Sequence, residues 1–396
     1  MTAAAAPELA ARLRSIRLAS GLTQGDIAAK AGLTRVAYNR IEAGKAEPRP
    51  LTVQAIAKAF GLTLADILAS APKLSGVRFR ANVNQDAFDD QFRAHIEALV
   101  ARKIQDVRFL EDDLGRPPET NSAIGKLMVG DPREVAQNIR MLFKLNQHEP
   151  IRDICGLIEA HGITVLTVVV RRDGFFGLSI DDQASNRQFI VVNIADHISV
   201  ERMIFTCAHE LGHLVLHHQD YRKDEGEENK EHEDGANFFA AELLMPHKAF
   251  VTEWKKFDGY SFVDRVLAVK RYFSVSYKAV LVRLDQYKVP KVFMRFNGEY
   301  HNRFGISLGK ADEPHAMRRD RFRMPVENIR AAEPEALRKH DFMEPRVYSL
   351  VKDAVKRGII SLSRASEILS LPISAVREIA ISWAEDSDVE DDDLLG

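Results

Sequence analysis

Cysteine is nearly absent from this chain: its 396 residues hold two, Cys155 and Cys207. Two thiols cannot build the disulfide framework of a small secreted domain, so a reducing, cytoplasmic setting is expected. No apolar run reaches the ~18 residues of a membrane-spanning helix, and Met1–Pro7 is too short for a signal peptide. No membrane partner is therefore expected. Charge of one sign is also lacking, since 55 Lys and Arg face 57 Asp and Glu for a net of −2. Any basic footprint must be local. What the chain does have is length and 45% apolar content, enough to bury two or three cores.

The most informative stretch is His209-Glu210-Leu211-Gly212-His213. Histidines four apart on a helix lie one above the other, so both imidazoles can reach one cation. The Glu between them points beside that cation, where it can take a proton from water. Ile204, Ala208, Leu211 and Val215 form an apolar stripe at helical spacing, which packs this helix on a core and leaves the histidines on an adjoining face. Upstream, residues 162–170 and 187–194 read as strands. A strand edge beside such a helix is a common way to hold an extended peptide.

A third ligand must come from elsewhere. The acids between Asp220 and Asp234 read as a solvated loop, with Glu233 set apart because an apolar helix begins there. Ala236, Phe239, Ala240, Leu243 and Leu244 follow at three- and four-residue steps, which places Glu233 in the first turn of a packed helix. Glu231 and His232 are its competitors. His217 is in phase with the two histidines but falls at the helix end, as a neighbour of the site or a surface residue. Cys207 points away from His209 and reads as a buried thiol.

These residues carry a resemblance. Phe205-Thr-Cys-Ala-His-Glu-Leu-Gly-His-Leu-Val-Leu-His217, with Glu233-x-x-Ala-Asn-x-Phe-Ala-Ala-Glu-Leu-Leu-Met-Pro246, is similar to the ImmA/IrrE family of metallopeptidases. The resemblance implies a zincin-like α+β domain that binds Zn2+ through His209, His213 and Glu233, with Glu210 as catalytic base. One departure is Gly235, where many members carry Glu or Gln before Ala-Asn. Three protein ligands leave a fourth position open, as catalytic zinc requires.

The N-terminus carries a second signal. Leu9, Leu13, Ile16 and Arg17 recur at helical spacing up to Gly21. Thr23 is placed to cap a short helix that ends at Gly32, and Thr34 to cap the next, which stops at Gly44. Further short helices fit 51–60 and 63–70. Over some sixty residues this pattern resembles the Cro/C1 (XRE) helix-turn-helix family. The resemblance implies that the helix from Thr34 enters the major groove. Arg35, Val36, Asn39 and Arg40 would then face bases, while Gln24, Lys45 and Arg49 approach phosphates. Residues 1–70 hold nine Lys/Arg against five Asp/Glu, a local +4, so affinity for an operator calls for a homodimer.

The fold class expected is multidomain: an all-α helix-turn-helix domain, an α+β zincin-like domain and a helical C-terminal segment. The expected divisions are 1–71 for DNA binding, 72–130 as a helical spacer or dimer helix, and 131–290 for the peptidase. Residues 291–384 form a C-terminal region with a helical hairpin around Gly358–Ser363 that resembles a second helix-turn-helix-like element. Residues 385–396, with seven acids and no base, read as a disordered tail. Two functions fit. One is a DNA-binding regulator whose zinc endopeptidase cuts a protein, by resemblance a repressor, in stress response or mobile-element control. The other is a non-proteolytic repressor or antitoxin whose metal site senses or stabilises. An acid at position 210 favours the first, since a structural site has no need of it.

Overall fold

The computed structural model describes residues 5–60, 67, 77–81, 90–117, 124, 130–172, 174–182, 185–217, 230–309, 311–318, 322 and 345–392. The N-terminal unit is α-helical: α1 (Ala5–Ala19), α2 (Gln24–Lys30), α3 (Arg35–Glu42) and α4 (Pro50–Phe60). Thr23 closes a capping box with Asp26, and Thr34 accepts the amide of Ala37, so both expected caps are made. Leu13, Ile27, Tyr38, Val53 and Ile56 fill the core between these helices. Arg17 reaches across to α3 and holds Glu42 with two hydrogen bonds of 2.7 Å. Apart from Ile67, the helix expected over 63–70 lies outside the described residues.

A mixed sheet organises the rest. Its strands are β1 (Val77–Ala81), β2 (Ile163–Val168), β3 (Phe175–Asp182) and β4 (Arg187–Asn193), in the order β1-β3-β4-β2. β4 runs parallel to β2 and antiparallel to β3, and β1 runs antiparallel to β3. Side chains alternate between two cores. Ile163, Val165, Ile190 and Val192 point into one, while Leu166, Val168, Phe189 and Val191 point into the other. Covered on both faces, the strands read as near-continuous apolar runs.

The first core is closed by α6 (Pro132–Leu142), α7 (Ile154–Glu159), α8 (Val200–Leu216), α9 (Lys230–Leu244) and α10 (His247–Lys256). Helices α11 (Phe262–Phe273) and α12 (Tyr277–Gln286) complete it, followed by α13 (Val292–Phe304). The turn between α11 and α12 forms at Ser274, which takes a left-handed φ of 57°. A buried ion pair, Lys270 Nζ to Glu201 Oε1 at 2.9 Å, ties α11 to the first turn of α8. Lys270 Nζ also holds Glu313 Oε1 at 2.8 Å, so losing the lysine would leave Glu201 and Glu313 without their ammonium partner.

The second core corrects the expectation of a spacer or dimer helix. Residues 77–81 form a strand of the sheet, and α5 (Asp90–Leu114) lays Phe92, Ile96, Val100, Ile104, Val107 and Leu110 on its back face. The apolar stripe is thus used within the chain, because a sheet apolar on both faces needs a cover on both. The C-terminal helices α14 (Arg346–Lys356), α15 (Leu362–Leu369) and α16 (Ile373–Asp392) complete that layer. They are pinned to it by Arg346 on Glu111 at 2.9 Å and by Lys103 on the carbonyl of Ile368 at 2.6 Å. α16 runs through Asp392, where a disordered tail was expected from residue 385. No Gly or Pro interrupts 373–392, so nothing in the backbone chemistry stops the helix earlier. Residues 393–396 lie outside the description.

Candidate functional site

Helix α8 begins at Ser199, whose hydroxyl caps the amide of Arg202, and ends at His217. It lies across β3 and β4. His209, Glu210 and His213 on it are 0%, 0% and 2% exposed. The Nε2 atoms of His209 and His213 stand 2.9 Å apart. Glu233, in the first turn of α9, brings Oε2 to 3.3 Å from His209 Nε2 and Oε1 to 2.9 Å from His213 Nε2. Among the described residues this is the group of side chains that could hold a metal ion.

The donor set fits zinc. Two imidazole nitrogens and one carboxylate oxygen are the ligands of many catalytic zinc sites, where neighbouring donors sit about 3.3 Å apart around the ion. The distances here are that size or a few tenths of an ångström shorter. Burial pushes the Glu233 carboxyl up, but hydrogen bonds and charge from His209 and His213 more than offset this and hold it below the usual carboxylate range. His209 is oriented through its other nitrogen, with Nδ1 3.0 Å from Asn237 Oδ1. An oxygen at that distance accepts from a protonated Nδ1, and Nε2 faces Glu233 and His213. His213 Nδ1 meets His217 Nδ1 at 3.2 Å, and the His217 ring stacks on His232 at 4.1 Å between centroids. His217 and His232 therefore back the site, outside the convergent triad.

Two glycines set the distances. A Cβ on Gly212 would sit 2.9 Å from Phe239 Cδ1 and 3.3 Å from Ala236 Cα, so its absence lets α8 and α9 approach at the level of the ligands. A Cβ on Gly177 would sit 2.6 Å from both Thr206 Cγ2 and the Val191 carbonyl oxygen, so β3 lies hard against α8. That approach delivers Ser179, fully buried on β3, whose hydroxyl donates to Glu210 Oε2 at 2.7 Å. Neither β3 nor Ser179 was marked by spacing in the sequence. Cys207 is buried and faces Cys155 at 3.7 Å, turned from the ligands.

Residues 158–285 match the IrrE N-terminal-like domain of the M78 peptidases, and residues 13–67 match a helix-turn-helix domain. The chain joins an XRE-type helix-turn-helix to an M78 domain. No curated protein matches the chain. The three strands β2, β3 and β4, the helices α8 to α11 and all but the last residue of α12 fall within the matched M78 residues, which contain the His209–His213–Glu233 triad. Strand β1 and helix α5 lie outside both matches.

In the helix-turn-helix domain, Tyr38 and Ile41 bury one face of α3, while Thr34, Arg35, Val36, Asn39 and Arg40 are exposed on the other. Val36 is 70% exposed, an apolar side chain with no place in the core. Lys45 and Arg49 are exposed in the following turn. Gln24 is only half-buried, and its amide bridges the two helices: it donates to Glu42 at 3.1 Å and accepts from Asn39 at 2.9 Å. Gln24 and Asn39 thus hold α2 and α3 in register. Burial pushes the Glu42 carboxyl up, yet the hydrogen bonds of Arg17 and Gln24 hold it below its ordinary value.

Proposed function

We propose that the protein is a DNA-bound zinc endopeptidase that cleaves a repressor protein. The observation that carries this reading is the convergence of His209, His213 and Glu233 on one point, with the Glu210 carboxylate on the adjoining turn of α8. A zinc ion held by His209 Nε2, His213 Nε2 and a Glu233 oxygen would supply Lewis acidity to a water molecule and to the scissile carbonyl. Glu210 takes the proton of the attacking water and passes it to the leaving amine. Its Oε2 accepts the Ser179 hydroxyl, which fixes the carboxylate rotamer and leaves Oε1 as the proton-carrying atom. Asn237 keeps His209 in the ligating tautomer.

On the DNA side, α3 enters the major groove with Arg35, Val36, Asn39 and Arg40 toward base edges. Lys45, Arg49 and Gln24 meet phosphates, and Thr34 holds the helix start. The guanidinium groups of Arg35 and Arg40 suit guanine edges, and Val36 suits a thymine methyl. Two copies on a palindromic operator would double the local positive charge. Among the described residues no helix is long and apolar enough to cross a membrane.

A second reading, a regulator whose metal only senses or stabilises, has the complete burial of Glu210 in its favour. The deciding experiment is elemental analysis of the purified chain beside its Glu233→Ala variant, followed by incubation of the zinc-loaded protein with unfolded casein. About one zinc per chain, lost in the variant, together with casein cleavage lost in Glu210→Gln, supports the peptidase. Full zinc content with no cleavage under any metal load would leave the second reading.

A further inference from the structure

The two edges of the sheet are not equivalent. α8 lies across β3 and β4, Gly177 and Ser179 of β3 meet Glu210, and β2 forms the opposite edge of the sheet. β3 is also the strand that carries Ser179 onto Glu210. An extended polypeptide adds to a sheet by pairing its backbone with a free edge. The outer edge of β3 is where such a segment would lie beside the general base.

That edge is taken. Strand β1 pairs antiparallel along β3, with Arg78 opposite Ser179, Phe79 opposite Leu178 and Arg80 opposite Gly177. Neighbouring strands lie about 4.8 Å apart. The backbone of residues 78–80 is therefore one strand spacing from the two β3 residues that pack on α8 next to Glu210. This strand is not part of the matched M78 residues, and the three remaining strands pair without it. In sequence it lies between the helix-turn-helix domain and α5, which is itself packed on the back of the sheet.

We propose that the outer edge of β3 is the docking edge for an extended segment of a protein substrate, and that the chain's own strand Val77–Ala81 occupies it as a tethered competitor. The proposal rests on the peptidase reading for its consequence, though the pairing itself does not. Tethered through short connections, the strand meets its edge at an effective concentration of roughly millimolar. A free segment that binds more weakly than this is excluded until the strand leaves. Since the strand follows the DNA-binding domain in the chain, a change there has a direct covalent path to the edge.

The test uses the full chain in a Glu210→Gln background, so that nothing is cut. Successive strand residues turn their N–H groups to opposite sides, so Arg78→Pro with Phe79→Pro removes a ladder donor whichever residue faces β3. The probe is a fluorescein-labelled peptide, Ser-Gly-Val-Arg-Phe-Arg-Ala-Asn-Val, copied from residues 75–83. Fluorescence anisotropy should show at least tenfold tighter binding to the double-proline variant than to its parent. Amide exchange at residues 177–180 should be faster in the variant and slow again when the peptide is added. Zinc content and the thermal midpoint check the fold, and a variant with Gly-Ser-Gly-Ser-Gly at 77–81 replaces the first if it does not fold. Equal peptide affinity in parent and variant, or no binding despite faster exchange, overturns the proposal. Peptide binding confined to the variant, with no casein cleavage by either zinc-loaded protein when Glu210 is intact, overturns the peptidase reading and leaves the docking edge standing.

Discussion

Helix α8 and helix α3 meet their surroundings in opposite ways. On α8 the informative side chains are sealed in, with His209 and Glu210 wholly buried. On α3 they stand in solvent, with Val36 70% exposed beside Arg35 and Arg40. A buried polar group is affordable only with a partner, and the partners of His209 and Glu210 belong to the same chain. An exposed arginine owes nothing to its own fold. Its partner is another molecule, and the chain carries only half of that interaction.

The strongest way to break the comparison is to remove a ligand. His213→Ala should abolish stoichiometric zinc binding, measured by elemental analysis after dialysis against dilute zinc; a variant that still holds one zinc per chain would refute the triad. Glu210→Gln comes next, with zinc content unchanged and casein hydrolysis about 10²- to 10⁴-fold slower, the usual worth of a general base.

Smaller effects sharpen the contrast. Gly212→Ala must displace Phe239 or part the two ligand helices, at a cost of about 1–3 kcal/mol in chemical denaturation. It should also weaken zinc affinity in a chelator competition, whereas an unchanged affinity would mean that α9 is free to shift. Within the DNA-binding domain, Glu42→Gln removes the partner of a nearly buried arginine and should cost about 1.5–3 kcal/mol. The pH dependence follows the same residue. Its folded pKa lies below the unfolded value, so its stabilisation is complete above the ordinary carboxylate range of about 4.3 and is lost as pH falls through the folded pKa. Thermal melts from pH 6 to 3 should show this loss in the parent and not in Glu42→Gln. Last, Arg35→Ala should weaken binding to an operator by about 1–3 kcal/mol while sparing unrelated DNA, and equal loss on both would make it a phosphate contact.

How far the sequence could be read follows from the same division. Thr23 and Thr34 announce their caps because capping is local chemistry, and the histidines announce a shared face because helical spacing is local geometry. Glu233 was reached through the apolar period of its own helix. Strand β3 stayed hidden: Phe-Phe-Gly-Leu-Ser-Ile-Asp-Asp has no clean alternation, and its glycine reads as a break until α8 is known to press on it. Ser179 has no mark in sequence at all, since its role exists only across a separation of 31 residues. The strand at 77–81 and the packing of α5 were missed for a related reason. Both depend on a sheet edge and a sheet face that are assembled far downstream.

Gly212 has a mechanical consequence. It stands next to His213 and within one turn of His209, and it meets Ala236, which sits between Glu233 and Asn237. A close contact of the two helices therefore sits at the level of His209, His213 and Glu233. When two rods rock about a point of contact, their ends sweep widely while the point itself hardly moves. His209, His213 and Glu233 lie beside this contact, so a rocking of α8 on α9 would move the helix ends more than it moves the three side chains.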